Sequence, residues 1–71
     1  MRLEEVFIRI KEIRETAGIS QKELSERAST TQDNISRIEK GERKLTTIDM
    51  LIRILDGLGY ELEFKPKYKY K

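Results

Sequence analysis

The sequence predicts an all-α domain of four helices, followed by one short strand. Three observations carry this expectation. Apolar residues recur at the spacing of one helix face over residues 3–17 and again over 48–58. Residues suited to start a helix (Ser20, Thr31, Thr47) alternate with glycines suited to end one (Gly18, Gly41, Gly59). Residues 60–65 then switch to strict apolar–charged alternation, the period of a half-buried strand. The chain has 71 residues, enough for one small domain. A domain of this size buries only about 60% of its unfolded surface, so its stability is marginal and a partner chain is a common remedy.

At about 100° per residue, Leu3, Val6, Phe7, Ile10, Ile13 and Ala17 share one face of the first helix. Gly18 ends it. Ser20 with Glu23 three positions later reads as a capping box opening a second helix, which runs to about Ala28 with Leu24 on its inner face. Ser29, Thr30 and Thr31 form a short polar turn. Thr31 caps a third helix, Gln32 to about Glu39, and Asp33 in its first turn complements the helix dipole. Its large apolar residues are Ile35 and Ile38, three apart and therefore on one side. Gly41 stops it, and a polar connection leads to Thr47, the cap of a fourth helix from Ile48 to Leu58. Pro66 ends regular pairing after the strand. The domain organisation expected is 1–59 helical domain, 60–65 strand and 66–71 basic tail.

Composition excludes several functions. Without Cys or His there are no disulfides, no thiolate or imidazole metal sites and no Cys-His or Ser-His nucleophile. No catalytic triad, metal cluster or phosphate loop can be read, so no enzyme activity, cofactor or metal is expected. Glu61 and Glu63 lie two apart on the outer face of the strand and read as solvated. No apolar run approaches the roughly 20 residues that span a bilayer. MRLEEVFIRI carries acids inside its apolar pattern and lacks a signal-peptide core, so no membrane association and a cytoplasmic location are expected. The formal net charge is only +2, but it is unevenly placed. Residues 1–40 hold eight bases and eight acids, whereas KGERK holds three bases to one acid, and KPKYKYK four Lys and no acid. Basic charge is local, as an electrostatic footprint for nucleic acid requires.

The second and third helices, joined by about three residues, form a helix-turn-helix over residues 20–39. On the third helix Gln32, Asp33, Ser36 and Arg37 share one polar edge. So short a helix is unstable alone and must be held from behind by the rest of the domain. What it presents is a row of hydrogen-bonding side chains on a rigid rod, which suits the major groove of double-stranded DNA. Lys40, Arg43 and Lys44 follow directly, where phosphates would lie. Gln21 opens the second helix, whose N-terminus favours anions.

The run Ile19-Ser20-Gln21, then Glu23-Leu24, then Ile35-Ser36-Arg37-Ile38-Glu39-Lys40-Gly41 resembles the phage repressor and Cro type of helix-turn-helix, the xenobiotic-response-element-like bacterial regulators. The resemblance covers residues 7–59. It implies a four-to-five-helix repressor-like DNA-binding domain whose third helix reads DNA. It implies Thr31, Gln32, Asp33, Ser36 and Arg37 on the base-facing edge and Gln21, Lys40, Arg43 and Lys44 against phosphates. It also implies a structural ion pair between Arg14 and Glu39, and Arg14 independently falls inside the apolar arc of helix one, where a charge needs a partner. Some positions depart from the pattern. Ser29 stands where the turn usually has Gly and is expected to take an unusual backbone angle. Ser25 replaces a usual Ala, and Thr46 a common Pro. Gly57 replaces a usual Ala and is expected to weaken helix four by up to about 1 kcal/mol.

The apolar residues of helix four spread over an arc of roughly 200°, whereas one core needs little more than 100°. The surplus, about Met50 and Ile54, wants a second surface. A lone strand, with Tyr60, Leu62 and Phe64 on one face, likewise needs a partner for its backbone. Both features point to a homodimer through Met50, Ile54, Tyr60, Leu62 and Phe64, as suits a two-fold DNA reader. The expected function is operator binding and transcriptional regulation, with repression favoured over activation. The trailing LGYELEF also resembles antitoxins of the HipB and HigA kinds, which implies a cognate toxin protein as an alternative partner. Controller proteins of restriction-modification systems are a further DNA-binding option.

Overall fold

The computed structural model describes residues 2–42, 44 and 46–68. Among them four α-helices follow in order: α1 (Leu3–Thr16), α2 (Gln21–Arg27), α3 (Gln32–Glu39) and α4 (Ile48–Gly57). α2 packs against both α3 and α4, and α1 packs against α3. Phe7 and Ile10 of α1, Leu24 of α2, Ile35 and Ile38 of α3, and Ile54 of α4 meet in one core, closed by Ile19, Ala28 and Leu58 from the connections. Each comes from the apolar stripe of its own helix, so the period of the sequence is what brings them together.

Helix starts follow the cap residues. The hydroxyls of Ser20, Thr31 and Thr47 accept from the backbone N–H of Glu23, Asn34 and Met50, each three positions on. The reciprocal half of the capping box at Ser20 is not made, because the Glu23 carboxylate instead takes Arg27 one turn later at 2.6 Å. Helix ends share one device. In all four, the second residue past the C-cap donates its N–H back to the third-last helical carbonyl: Ile19 to Arg14, Thr30 to Ser25, Glu42 to Arg37 and Tyr60 to Leu55. That motif needs a left-handed residue between them. Gly18, Gly41 and Gly59 supply it at φ +72°, +92° and +83°, and Ser29 takes it at φ +54°.

Two expectations change. Residues 60–65 alternate like a strand but form none, since the described residues include no second strand to complete a ladder. Ile54 is not surplus apolar surface: it is fully buried against the core, while Met50 is half-buried at its edge. The exposed apolar residues of α4 are Ile48 and Ile52, one turn apart. A helical wheel gives the width of the arc but not its orientation, and docking on α2 turned Ile54 inward. Gly57 also gains a reason. It is buried where α4 crosses α2, and a Cβ there would lie 3.0 Å from the Arg27 Cβ and 3.2 Å from Leu24 Cδ1. Among the described residues no helix is long and apolar enough to cross a membrane.

Candidate nucleic-acid interface

The frame of the interface is a buried ion pair. Arg14 sits among apolar residues of α1, and its guanidinium donates from Nε and Nη2 to the Glu39 carboxylate at 2.6 and 3.0 Å. Nη1 donates to the Ile19 carbonyl at 2.8 Å, and Gln21 Nε2 donates to Glu39 Oε1 at 3.0 Å. One network thus joins α1, the entry to α2 and the last turn of α3. The hydrogen bonds from Arg14 to Glu39 raise the guanidinium pKa against the opposing cost of burial, so the charge is retained inside the fold. Among the described residues no buried side-chain nitrogen or oxygen lacks a partner.

The turn between α2 and α3 is held from several directions. Arg53 of α4 donates from Nε to the Ala28 carbonyl at 2.8 Å and from Nη2 to the Ser29 carbonyl. A cation therefore caps the C-terminal end of α2, where exposed carbonyls favour it. Asn34 of α3 donates from Nδ2 to Thr30 Oγ1 at 2.9 Å. Arg27 of α2 reaches the Gly57 carbonyl at 3.1 Å and ties α4 to the same frame. Sequence reasoning missed these three residues. Arg53 carries a readable signal, as a cation set between the apolar residues Ile52 and Ile54.

Against this frame α3 is presented outward. Ile35 and Ile38 are buried beneath it. Thr31, Gln32, Asp33 and Arg37 are exposed, and Ser36 is half-buried beside them. The Thr31 hydroxyl oxygen accepts the helix-cap bond from the Asn34 N–H, which leaves its O–H to donate. Lys40 and Lys44 are exposed just past α3, while Arg43 lies outside the described residues. Gln21 is half-buried at the start of α2; its amide nitrogen gives one N–H to Glu39 and keeps a second as a donor.

Arg37 is not a bare cation. Its Nε and Nη2 donate to the two oxygens of Glu42 at 2.6 and 2.7 Å, and its Nη1 lies 3.6 Å from Asp33, one turn earlier. The guanidinium hydrogen bonds hold the Glu42 carboxyl below its usual range, and the same bonds raise the pKa of Arg37. Glu42 is a functional candidate that sequence reasoning passed over; the five-residue separation across Gly41 is not a helical pairing, so periodicity does not reveal it.

Of the dimer residues expected from sequence, Tyr60, Leu62 and Phe64 are exposed, with Phe64 at 93%, Met50 is half-buried and Ile54 is withdrawn into the core at 0%. Among the described residues no group of three or more acidic side chains could hold a metal ion. The helix-turn-helix family model HTH_3 matches residues 10–65, which takes in the ion pair, the turn, α3 and α4. No curated protein matches the chain.

Proposed function

Because the chain belongs to the helix-turn-helix family of DNA-binding regulators, we propose that it binds one operator sequence as a homodimer and represses transcription there. The observation that carries the reading is α3, apolar on the side held by the core and polar on the side held toward solvent. Gln32, Asp33, Ser36 and Arg37, with the Thr31 hydroxyl, supply donors and acceptors to base edges, and Lys40, Lys44 and the N-terminus of α2 at Gln21 supply the phosphate contacts. Arg43 joins this set from its place in the sequence. Arg14, Glu39 and Arg53 fix the angle at which α3 meets the groove. Such a protein works in the cytoplasm, on DNA.

Dimerisation is supported by apolar surface that the single chain leaves open. Ile48 and Ile52 on α4 and Tyr60, Leu62 and Phe64 beyond it are all exposed. Pairing of residues 60–65 across a two-fold axis would supply the missing ladder. The test is selection of bound sequences from random duplex DNA. A palindromic site with half-sites about 10 base pairs apart, centre to centre, is expected. Gln32→Ala would cost about 1–3 kcal/mol at one base pair, while Lys44→Ala would weaken all sequences alike and lower the salt slope by about one. Selection of no sequence over random duplex sinks the reading.

The same exposed segment favours a second reading, in which the protein also neutralises a toxin and represses its own operon. Tyr60, Leu62 and Phe64 together leave a run of exposed apolar side chains that a partner surface would cover. A toxin gene beside this one, and a stable complex of the two purified products, are the expected findings; a neighbouring gene product that passes a column separately counts against it.

A further inference from the structure

Arg37, the one cation of α3, is already bound to an acid of its own chain. Gly41, at φ +92°, turns the backbone so that the Glu42 N–H donates to the Arg37 carbonyl at 3.0 Å. The Glu42 side chain then meets the Arg37 guanidinium side-on through two bonds. Backbone and side chain of one residue thus grip the same arginine, and the helix end built by Gly41 sets the grip.

A guanidinium offers its N–H groups in a fixed planar fork. Glu42 occupies the edge formed by Nε and Nη2. The opposite edge, one N–H from each terminal nitrogen, faces away from Glu42; Asp33 is near Nη1 but at 3.6 Å is too far for a hydrogen bond. That outer edge matches the O6 and N7 acceptors of guanine in the major groove. The charge balance points the same way. A phosphate attracts a cation chiefly by charge, and two nearby carboxylates cancel that attraction for Arg37 and repel the phosphate. Guanine acceptors are uncharged and ask for direction, which a braced fork provides with little rotamer freedom left to lose. Lys40 and Lys44, which no carboxylate clamps among the described residues, keep the phosphate role.

We propose that Glu42 is a positioning residue that withholds Arg37 from phosphates and dedicates its outer edge to a guanine in each half-site. This rests on α3 being the reading helix. The experiment is selection from random duplex with the full chain, followed by titrations on the selected site, on the same site with that base pair replaced, and on random duplex. Wild type, Arg37→Ala and Glu42→Gln are compared. The wild-type site is expected to hold a guanine whose preference Arg37→Ala abolishes. Glu42→Gln should cut that preference about tenfold while tightening binding to random duplex and steepening the salt dependence by about one. The side chains of Arg37 and Glu42 are 45% and 41% exposed, so circular dichroism and melting should match wild type in each variant. If Glu42→Gln tightens every sequence by one factor and leaves the guanine preference intact, Glu42 is merely a charge and the proposal is overturned. It is also overturned if the base lost in Arg37→Ala is not guanine. If wild type selects no sequence at all, the reading of α3 has failed beneath it.

Discussion

Replacing Ser29 by glycine should stabilise the protein, although glycine usually destabilises. Ser29 is the left-handed residue at the end of α2, at φ +54°, in a motif that the other three helices complete with glycine. Its Cβ crowds the following carbonyl in that conformation, at a cost of roughly 1–2 kcal/mol. Relief is offset by the greater freedom of glycine in the unfolded chain, about 0.5–1 kcal/mol. The Ser29 side chain is exposed, while its carbonyl, held by Arg53, survives the change. The net gain therefore lies between about 0 and 1.5 kcal/mol, centred on about 0.75 kcal/mol, or roughly 3–6 °C at the centre in a domain this small. Thermal melts followed by circular dichroism at two protein concentrations would measure it and separate it from any effect of association. Ser29→Val is the opposing control, since a branched side chain tolerates this backbone region worst. A glycine variant that melts at or below wild type, beside a valine variant that melts with it, would refute the argument.

The remaining predictions concern the frame. Glu39→Ala strands Arg14 and releases Gln21, and should cost about 3–5 kcal/mol in denaturant melts, enough to unfold much of so marginal a domain; Arg14→Met with Glu39→Met should recover most of it. Gly57→Ala sets a helix gain of about 1 kcal/mol against overpacking of about 1–3 kcal/mol. Because the Arg27 Cβ at 3.0 Å is anchored on a helix and cannot swing aside, the melting temperature should fall. Ile54→Ala should lower stability by about 2–5 kcal/mol at every protein concentration. Phe64→Ser should leave the monomer's stability unchanged and shift only sedimentation toward the monomer.

Much of the fold was legible because local chemistry decides it. Ser20, Thr31 and Thr47 cap within one turn, Gly18, Gly41 and Gly59 end helices by their own backbone freedom, and Ile35 with Ile38 defines the buried side of α3 without reference to any other helix. The unusual angle at Ser29 was legible from the departure it makes from a glycine position. The polar edge from Gln32 to Arg37 was equally legible, since it is the complement of the buried side.

What the tertiary structure decided is how those pieces meet. A wheel drawn for α4 has no outside reference, so Ile54 read as surface until packing on α2 placed it in the core and left Ile48 and Ile52 exposed. Gly57 read as a weak point in a helix and is the place where two backbones approach. The alternation over 60–65 specifies a strand only where a second strand exists to bond it. The partners of Arg53 and of Arg37, the turn carbonyls and Glu42, were beyond sequence for the same reason: these contacts run between helices or across a chain reversal. Sequence determined which helices form and, for α3, which face is hidden. Three-dimensional packing determined which charges face one another, because periodicity measures angles within one helix and carries no distances between elements.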